Sequence, residues 1–200
     1  MTEKKAVFSA DRLNLIIALC AIFISLASFY ATYLQASAAE KQVKAMTLPL
    51  MVFEHGNYNS NTKTKVINFS MGNSGSGAAI IHNTSLMYQD NRYNNIGDFL
   101  NACCSSEYKQ YREFFAKDKK LTLEDGGFVT KEINGVVLPA QSDRNFFTLF
   151  EHPNSQALWK KINNERWKLD VEFCYCTLLD DCFVSTGNGI ATSVKSCPVK

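Results

Sequence analysis

No long run of like charge occurs in this chain. Lysine and arginine number 21 against 19 acidic residues, a formal charge of +2, which excludes the concentrated basic face of a nucleic-acid-binding domain. Histidine is scarce: the three residues are His55, His82 and His152, scattered one to a segment. A structural zinc site usually needs cysteine pairs spaced C-x₂₋₄-C or such a pair with histidines at fixed spacing, whereas Cys174-Tyr175-Cys176 is a C-x-C with no histidine nearby in sequence. The redox C-x-x-C and the G-x-S-x-G nucleophile elbow of hydrolases are missing as well; Gly75-Ser76-Gly77 is only a fragment of the latter. These absences predict a protein that is not an enzyme and holds no cofactor or metal.

What is present begins with Leu13–Leu34, a segment without charge, proline or glycine. At about 1.5 Å per residue it spans roughly 33 Å, matching a hydrocarbon core of about 30 Å. Tyr30 and Tyr33 lie near its end, where amphipathic rings favour the headgroup level, and Lys4, Lys5 and Arg12 precede it. The positive-inside rule then puts residues 1–12 in the cytoplasm and the remainder outside. Two other readings exist. Ala36-Ser37-Ala38 fits a signal-peptidase site, although the apolar run is longer than a usual signal peptide's. A buried core helix would rarely be this long without a polar face. Cys20 reads as a small apolar residue in this segment. Residues 35–47 keep strong helix formers and predict a helical stalk that Pro49 ends near Leu48. Ala39, Val43 and Met46 share one side of that stalk. Ala18, Ala21, Ser25 and Ser28 put small residues on the apolar helix at spacings that allow close approach of a second helix. Both features are compatible with a homo-oligomer formed through the membrane helix or the stalk.

Beyond Pro49 the periodicity changes to that of strands: Leu48–His55, Lys65–Met71, Ala79–Tyr88, Asn145–Phe150, Trp167–Thr177, Cys182–Thr186 and Ile190–Val194. Gly127–Leu138 predicts a hairpin turning at Asn134-Gly135, and Asn188-Gly189 a second one. Asp98–Lys117 predicts one or two short helices, and Ser155–Ile162 another with Ser155 as N-cap. Lys117-Asp118-Lys119-Lys120 reads as a charged loop. Gly72–Ala79 is Gly-rich, but no lysine follows Gly77 and the next residues, Ile80-Ile81-His82, read as a strand. It is therefore a β-connection needing positive φ rather than a phosphate loop. Roughly seven or eight short strands with turn signals predict a mainly β fold, a β-sandwich over 48–200 with short helical insertions.

Of seven cysteines, Cys20 lies in the apolar segment and the other six follow it: Cys103, Cys104, Cys174, Cys176, Cys182 and Cys197. An even set on one side of a membrane segment predicts disulfides in an oxidising compartment. Cys174 and Cys176 share a strand face, and Cys176 and Cys182 flank a short connection, which predicts a Cys176–Cys182 bridge. Cys174 and Cys197 would then take Cys103 and Cys104 in either order. The adjacent carboxylates Asp180-Asp181 and Glu124-Asp125 read as turn residues. Asn68-Phe69-Ser70 and Asn83-Thr84-Ser85 match the glycosylation pattern, which matters only in a eukaryotic secretory route. The many aromatics read as core.

Pro49, Asn73-Ser74-Gly75-Ser76-Gly77-Ala78, Val137-Leu138-Pro139-Ala140 and the run Phe173–Phe183, with its Cys-Tyr-Cys and Asp-Asp-Cys, carry a resemblance. In these patches the chain resembles a loosely defined group of uncharacterised bacterial single-pass inner-membrane proteins with a periplasmic β-sandwich domain. Ala78-Ala79 stands where Pro-Ala is frequent in that group. The resemblance implies a Gram-negative envelope location and implies no activity. The expectation that follows is a membrane-anchored accessory or interaction protein of the cell envelope, with the lipid bilayer and an envelope protein as partners. The first alternative is a sensor binding a small ligand between the Asp98–Lys117 insertion and the sandwich. The second is a tethered enzyme, which would need a pocket joining His82 or His152 to Asp180 or Asp181.

Overall fold

The computed structural model describes residues 10–118 and 120–198. Lys4, Lys5, Lys119 and most of the expected cytoplasmic segment 1–12 lie outside the described residues. The chain divides into two compact units, 1–46 and 47–200.

The first unit is a single helix, α1 (Ala10–Met46). None of its side chains is buried, so Phe23 and Phe29 stand 70% and 74% exposed. It is long and apolar enough to cross a membrane. Thr32 Oγ1 donates back to the Ser28 carbonyl at 2.8 Å, which satisfies a hydroxyl that hydrocarbon could not. The helix stops at Met46 because the residue before Pro49 disfavours helical backbone.

The second unit contains two antiparallel sheets. The first runs in the order β1 (Met51–Gly56), β2 (Val66–Asn73), β7 (Ser142–Phe150), β5 (Phe128–Thr130). The second runs β10 (Thr192–Val194), β9 (Cys182–Ser185), β8 (Leu169–Cys176), β3 (Ala79–Tyr88), β4 (Asn91–Tyr93), with β6 (Val136–Leu138) also paired to β3. Strand alternation sends Ile67, Phe69 and Met71 of the first sheet, and Val171, Phe173 and Tyr175 of the second, into one shared core. Three helices close it: α2 (Ile96–Cys103), α3 (Ser105–Lys117) and α4 (Gln156–Glu165). Phe99 of α2 meets Phe69 at 6.2 Å and Tyr88 at 5.5 Å, both edge-on, and so touches both sheets at once.

Two expectations are corrected, and one strand had no signal in the sequence. Asn134-Gly135 does not turn a hairpin: β5 pairs with β7 and β6 with β3, in different sheets. Gly135 has φ +66°, but the turn serves a crossing. The Asn134 carboxamide oxygen accepts from Thr84 N at 2.6 Å and Gly135 N donates to the Ile81 carbonyl, bonds that draw the segment to β3 rather than to β5. Ser155 stands at the N-cap position of α4 as expected, but its side chain makes no cap bond, because its hydroxyl donates to the carbonyls of Phe150 and His152 instead. The strand β4 was not legible, since its two-residue turn is Gln89-Asp90, both at positive φ (49° and 63°), where Asn-Gly is the usual signal.

At the end of α4, the Glu165 carboxylate accepts from Tyr88 (2.7 Å), Lys161 (3.1 Å) and Lys168 (2.8 Å), tying the helix to β3. Hydrogen bonds from Lys168 and then Tyr88 hold its carboxyl at about 2, well below the usual 4.5. Because the folded value is depressed, the contribution is complete above the ordinary carboxylate range and is lost as pH falls through the folded value. Glu165→Gln is expected to lower stability at neutral pH by roughly 2 kcal/mol. It should also flatten the acid limb of the stability–pH curve, read by urea unfolding with Trp159 and Trp167 fluorescence.

Candidate functional sites: the junction, the cysteine face and two hollows

The segment that follows α1 is strapped across the Gly-rich connection between the two sheets. Ser74 N donates to the Leu50 carbonyl at 2.9 Å and Ser76 N to that of Leu48 at 3.2 Å. The buried Asn73 side chain completes the strap. Its Oδ1 accepts from Leu50 N and Gly75 N, and its two Nδ2 hydrogens are shared among the carbonyls of Gly77 at 2.7 Å, Pro139 at 3.1 Å and Leu138 at 3.3 Å. Tyr175 Oη donates to the Pro49 carbonyl at 3.1 Å from beneath, and burial pushes that phenol up to about 12. The glycines here are not used for positive φ, contrary to expectation; Gly75 and Gly77 lie outside that region. They are used for closeness: a Cβ on Gly77 would lie 1.8 Å from the Thr47 carbonyl oxygen, and one on Gly75 2.2 Å from that of Leu48. Gly77→Ala is expected to cost at least about 3 kcal/mol and to expose 47–50 to protease, whereas Ser76→Ala beside it should be near neutral; equal effects would contradict the strap.

Cys174 and Cys176 face outward from β8, as the strand period requires. Cys176 pairs with Cys182 across the β8–β9 connection, Cα atoms 4.0 Å apart. Cys174 pairs with Cys197, Cα atoms 5.6 Å apart, which ties the tail across the sheet. The expected exchange with Cys103 and Cys104 is therefore wrong: these two neighbours pair with each other. Cys104, at φ −142° and ψ 35°, ends α2 there, and α3 begins at the next residue, so the two cysteines sit at one helix break. The sulfurs of Cys176, Cys182 and Cys197 lie within 4.8 Å of one another, but all are consumed in these bonds. Cys20 on α1 is free and exposed. Replacing Cys174 and Cys197 by alanine should cost about 3 kcal/mol, and replacing Cys103 and Cys104 about 1 kcal/mol, because loop-closure entropy grows with the loop. Urea unfolding of the two variants checks the ordering.

The β8–β9 connection is a rigid tip. Besides its disulfide, Thr177 Oγ1 accepts from Leu179 N and Asp181 N, and Thr177 N donates to the Asp181 carbonyl at 2.8 Å. Asp180 occupies the positive-φ position, as a turn residue should. Two leucines are thereby held outward, Leu178 72% and Leu179 52% exposed. The register Val137–Ile80–Cys176 across three strands adds Val137, also exposed, to the same sheet face.

The histidines are placed apart. His82 is the extra residue of a bulge in β3 and faces solvent. His152 borders an apolar hollow of about 360 Å³ with Leu123, Glu124, Phe150 and Glu151; Asp180 and Asp181 do not border it. Glu124-Asp125 forms a turn, Asp125 accepting from Thr122. His55 accepts from Arg166 at 2.5 Å through Nδ1, which requires the neutral ring; burial and then the Arg166 charge lower its pKa. Arg166 in turn stacks on Trp167 at 4.2 Å. Neither glycosylation acceptor is presented: Asn83 is buried and Asn68 half-buried within strands.

A second hollow, of about 420 Å³, lies between the first turn of α2, Tyr108 of α3 and the segment Phe128–Ile133. This is the region between the helical insertion and the sheets. Arg166, Glu165, Asn73 and Tyr108 were all missed as site residues in the sequence: what sets their roles, His55, Tyr88, Leu138 and the segment 128–133 respectively, lies far from each in the chain.

No protein-family model, curated protein or solved structure matches the chain.

Proposed function

We propose that this is a non-enzymatic accessory protein of the bacterial cell envelope, anchored in the inner membrane by α1, with its sheet domain in the periplasm as a β-sandwich. The observation that carries the reading is the leucine tip. Two large apolar side chains stand in solvent on a loop locked by a disulfide and by Thr177. Burying them against a partner would contribute roughly 2 kcal/mol each, with little ordering cost. The carboxylate of Asp180 beside them favours a partner with basic side chains around an apolar socket. Support for the setting comes from the exposed apolar face of α1 and from three disulfides, which persist in an oxidising compartment. The lysines and arginine before the apolar run Leu13–Leu34 support a cytoplasmic N-terminus.

Purification of the tagged full-length protein from native membranes in mild detergent tests this. A stoichiometric envelope protein is expected with the wild type, and at least about tenfold less of it with Leu178→Ser/Leu179→Ser. A protein that runs alone, or only as its own oligomer through α1 or the stalk, would contradict the reading. A second reading, a ligand-binding module, is favoured by the hollow between α2, α3 and Phe128–Ile133.

A further inference from the structure

We propose that the hollow beside α2 and α3 binds a small zwitterion of amino-acid size, one carboxylate and one ammonium on a short body. The inference rests on the second reading above and names its ligand class. A volume of about 420 Å³ falls in the lower part of the range for small-molecule sites, about 300–1,000 Å³.

Four features of the lining point to this chemistry. Tyr108 is more than nine-tenths buried, at 8% exposure, and borders the hollow. Its hydroxyl makes no hydrogen bond among the described residues and is not one of the fully buried unsatisfied atoms, so it is accessible from the hollow as a donor and acceptor. The hydroxyl reaches the first turn of α2, 3.8 Å from where a Cβ on Gly97 would stand. The missing side chain at Gly97 leaves that space open.

The first turn of α2 supplies donors for an anion. Asn95 caps the helix by accepting from Asp98 N at 2.9 Å, and Phe99 N donates to the Asn95 carbonyl. The N–H groups of Ile96 and Gly97, both on the wall, are the first-turn donors that a helix cannot satisfy internally. Asp98 in the same turn is held by Asn95 Nδ2 at 2.7 Å and is not on the wall.

The rim carries both signs of charge. Lys131 and Glu132 border the hollow and are exposed, and neither forms an ion pair among the described residues. A carboxylate would take Lys131, the two first-turn N–H groups and the Tyr108 hydroxyl. The ammonium would take Glu132. Phe128 and Ile133 form an apolar wall for the body of the ligand. A simple anion would leave Glu132 repelling it, and a simple cation would leave Tyr108, Lys131 and the helix start unused.

The test uses the full-length protein in detergent, with thermal unfolding and calorimetric titration. The probes are the free L-amino acids, the matching amines and carboxylic acids that lack one of the two charges, and a set of monosaccharides. At least one amino acid is expected to raise Tm and bind, with its amine and acid analogues each weaker by about tenfold or more. Lys131→Ala, Glu132→Ala and Tyr108→Phe should each weaken binding by about tenfold, while Leu178→Ser/Leu179→Ser leaves it unchanged. The first two positions are exposed, so those variants fold. Binding of an amino acid that is indifferent to all three substitutions overturns the site. Binding of only amines, only acids or only sugars, lost with Tyr108→Phe, overturns the zwitterion and leaves the ligand-binding reading standing. No binding by any probe overturns both.

Discussion

The carboxamide of Asn73 is the tie on which the architecture of the domain depends. It is buried at the end of β2, where the chain leaves one sheet for the other. Its five hydrogen bonds reach three separate stretches: the segment entering from the helix, the Gly-rich connection, and the turn between β6 and β7. None of those stretches has a regular ladder of its own, and buried backbone groups without partners would destabilise all three. One side chain therefore does what a further strand would do. Two glycines are required because the strap approaches closer than any side chain permits. The composition of this loop, which resembles a phosphate-binding sequence, thus follows from packing of backbone on backbone.

Much of the fold was legible in the sequence because its signals are local. The uninterrupted apolar run gave α1, and Pro49 gave its end to within a few residues. Alternation gave β2, and β3 and β8 were read as strands between turn signals, although the bulge at His82 breaks the alternation of β3. The spacing of Phe99, Tyr108 and Tyr111 gave a helical insertion of one or two short helices, while the Asn95 cap and the break at Cys104 came only with the structure. What was hidden is non-local. Asn134-Gly135 reports that the chain turns, but the partner strands are chosen by β3 and β7, which lie far away in sequence. Cys103 and Cys104 had no local feature separating mutual pairing from pairing with the distant tail. The hollow was legible only as a region, between the insertion and the sheets. Its unpartnered phenol and its open first turn depend on how α2 and α3 rest on β5.

The three disulfides act differently although they form the same bond. The two on the outer face of β8 take the place of a covering layer: the cysteine side chains, with Val184 and Val194, make a small apolar cluster where a third layer would otherwise be needed. The bond between Cys103 and Cys104 closes almost no loop. Its effect is on local geometry, interrupting what would otherwise be one helix so that α3 can turn to cover Phe128. The rigid leucine tip is a by-product of the first arrangement, since the bridge that closes the outer cluster also fixes the loop beyond it.

The first strand of the domain is completed by its last segment. Phe53 N donates to the Gly187 carbonyl and Gly189 N to that of Met51, and Val52 bridges Asn188. During synthesis the N-terminal strand must therefore wait, with one edge bare, until residues near 188 have emerged. Strand edges left open are the usual template for wrong pairing between chains. The late β8–β9 hairpin, tied by a bridge of only six residues' separation, can close as soon as it appears and so shortens the period of exposure.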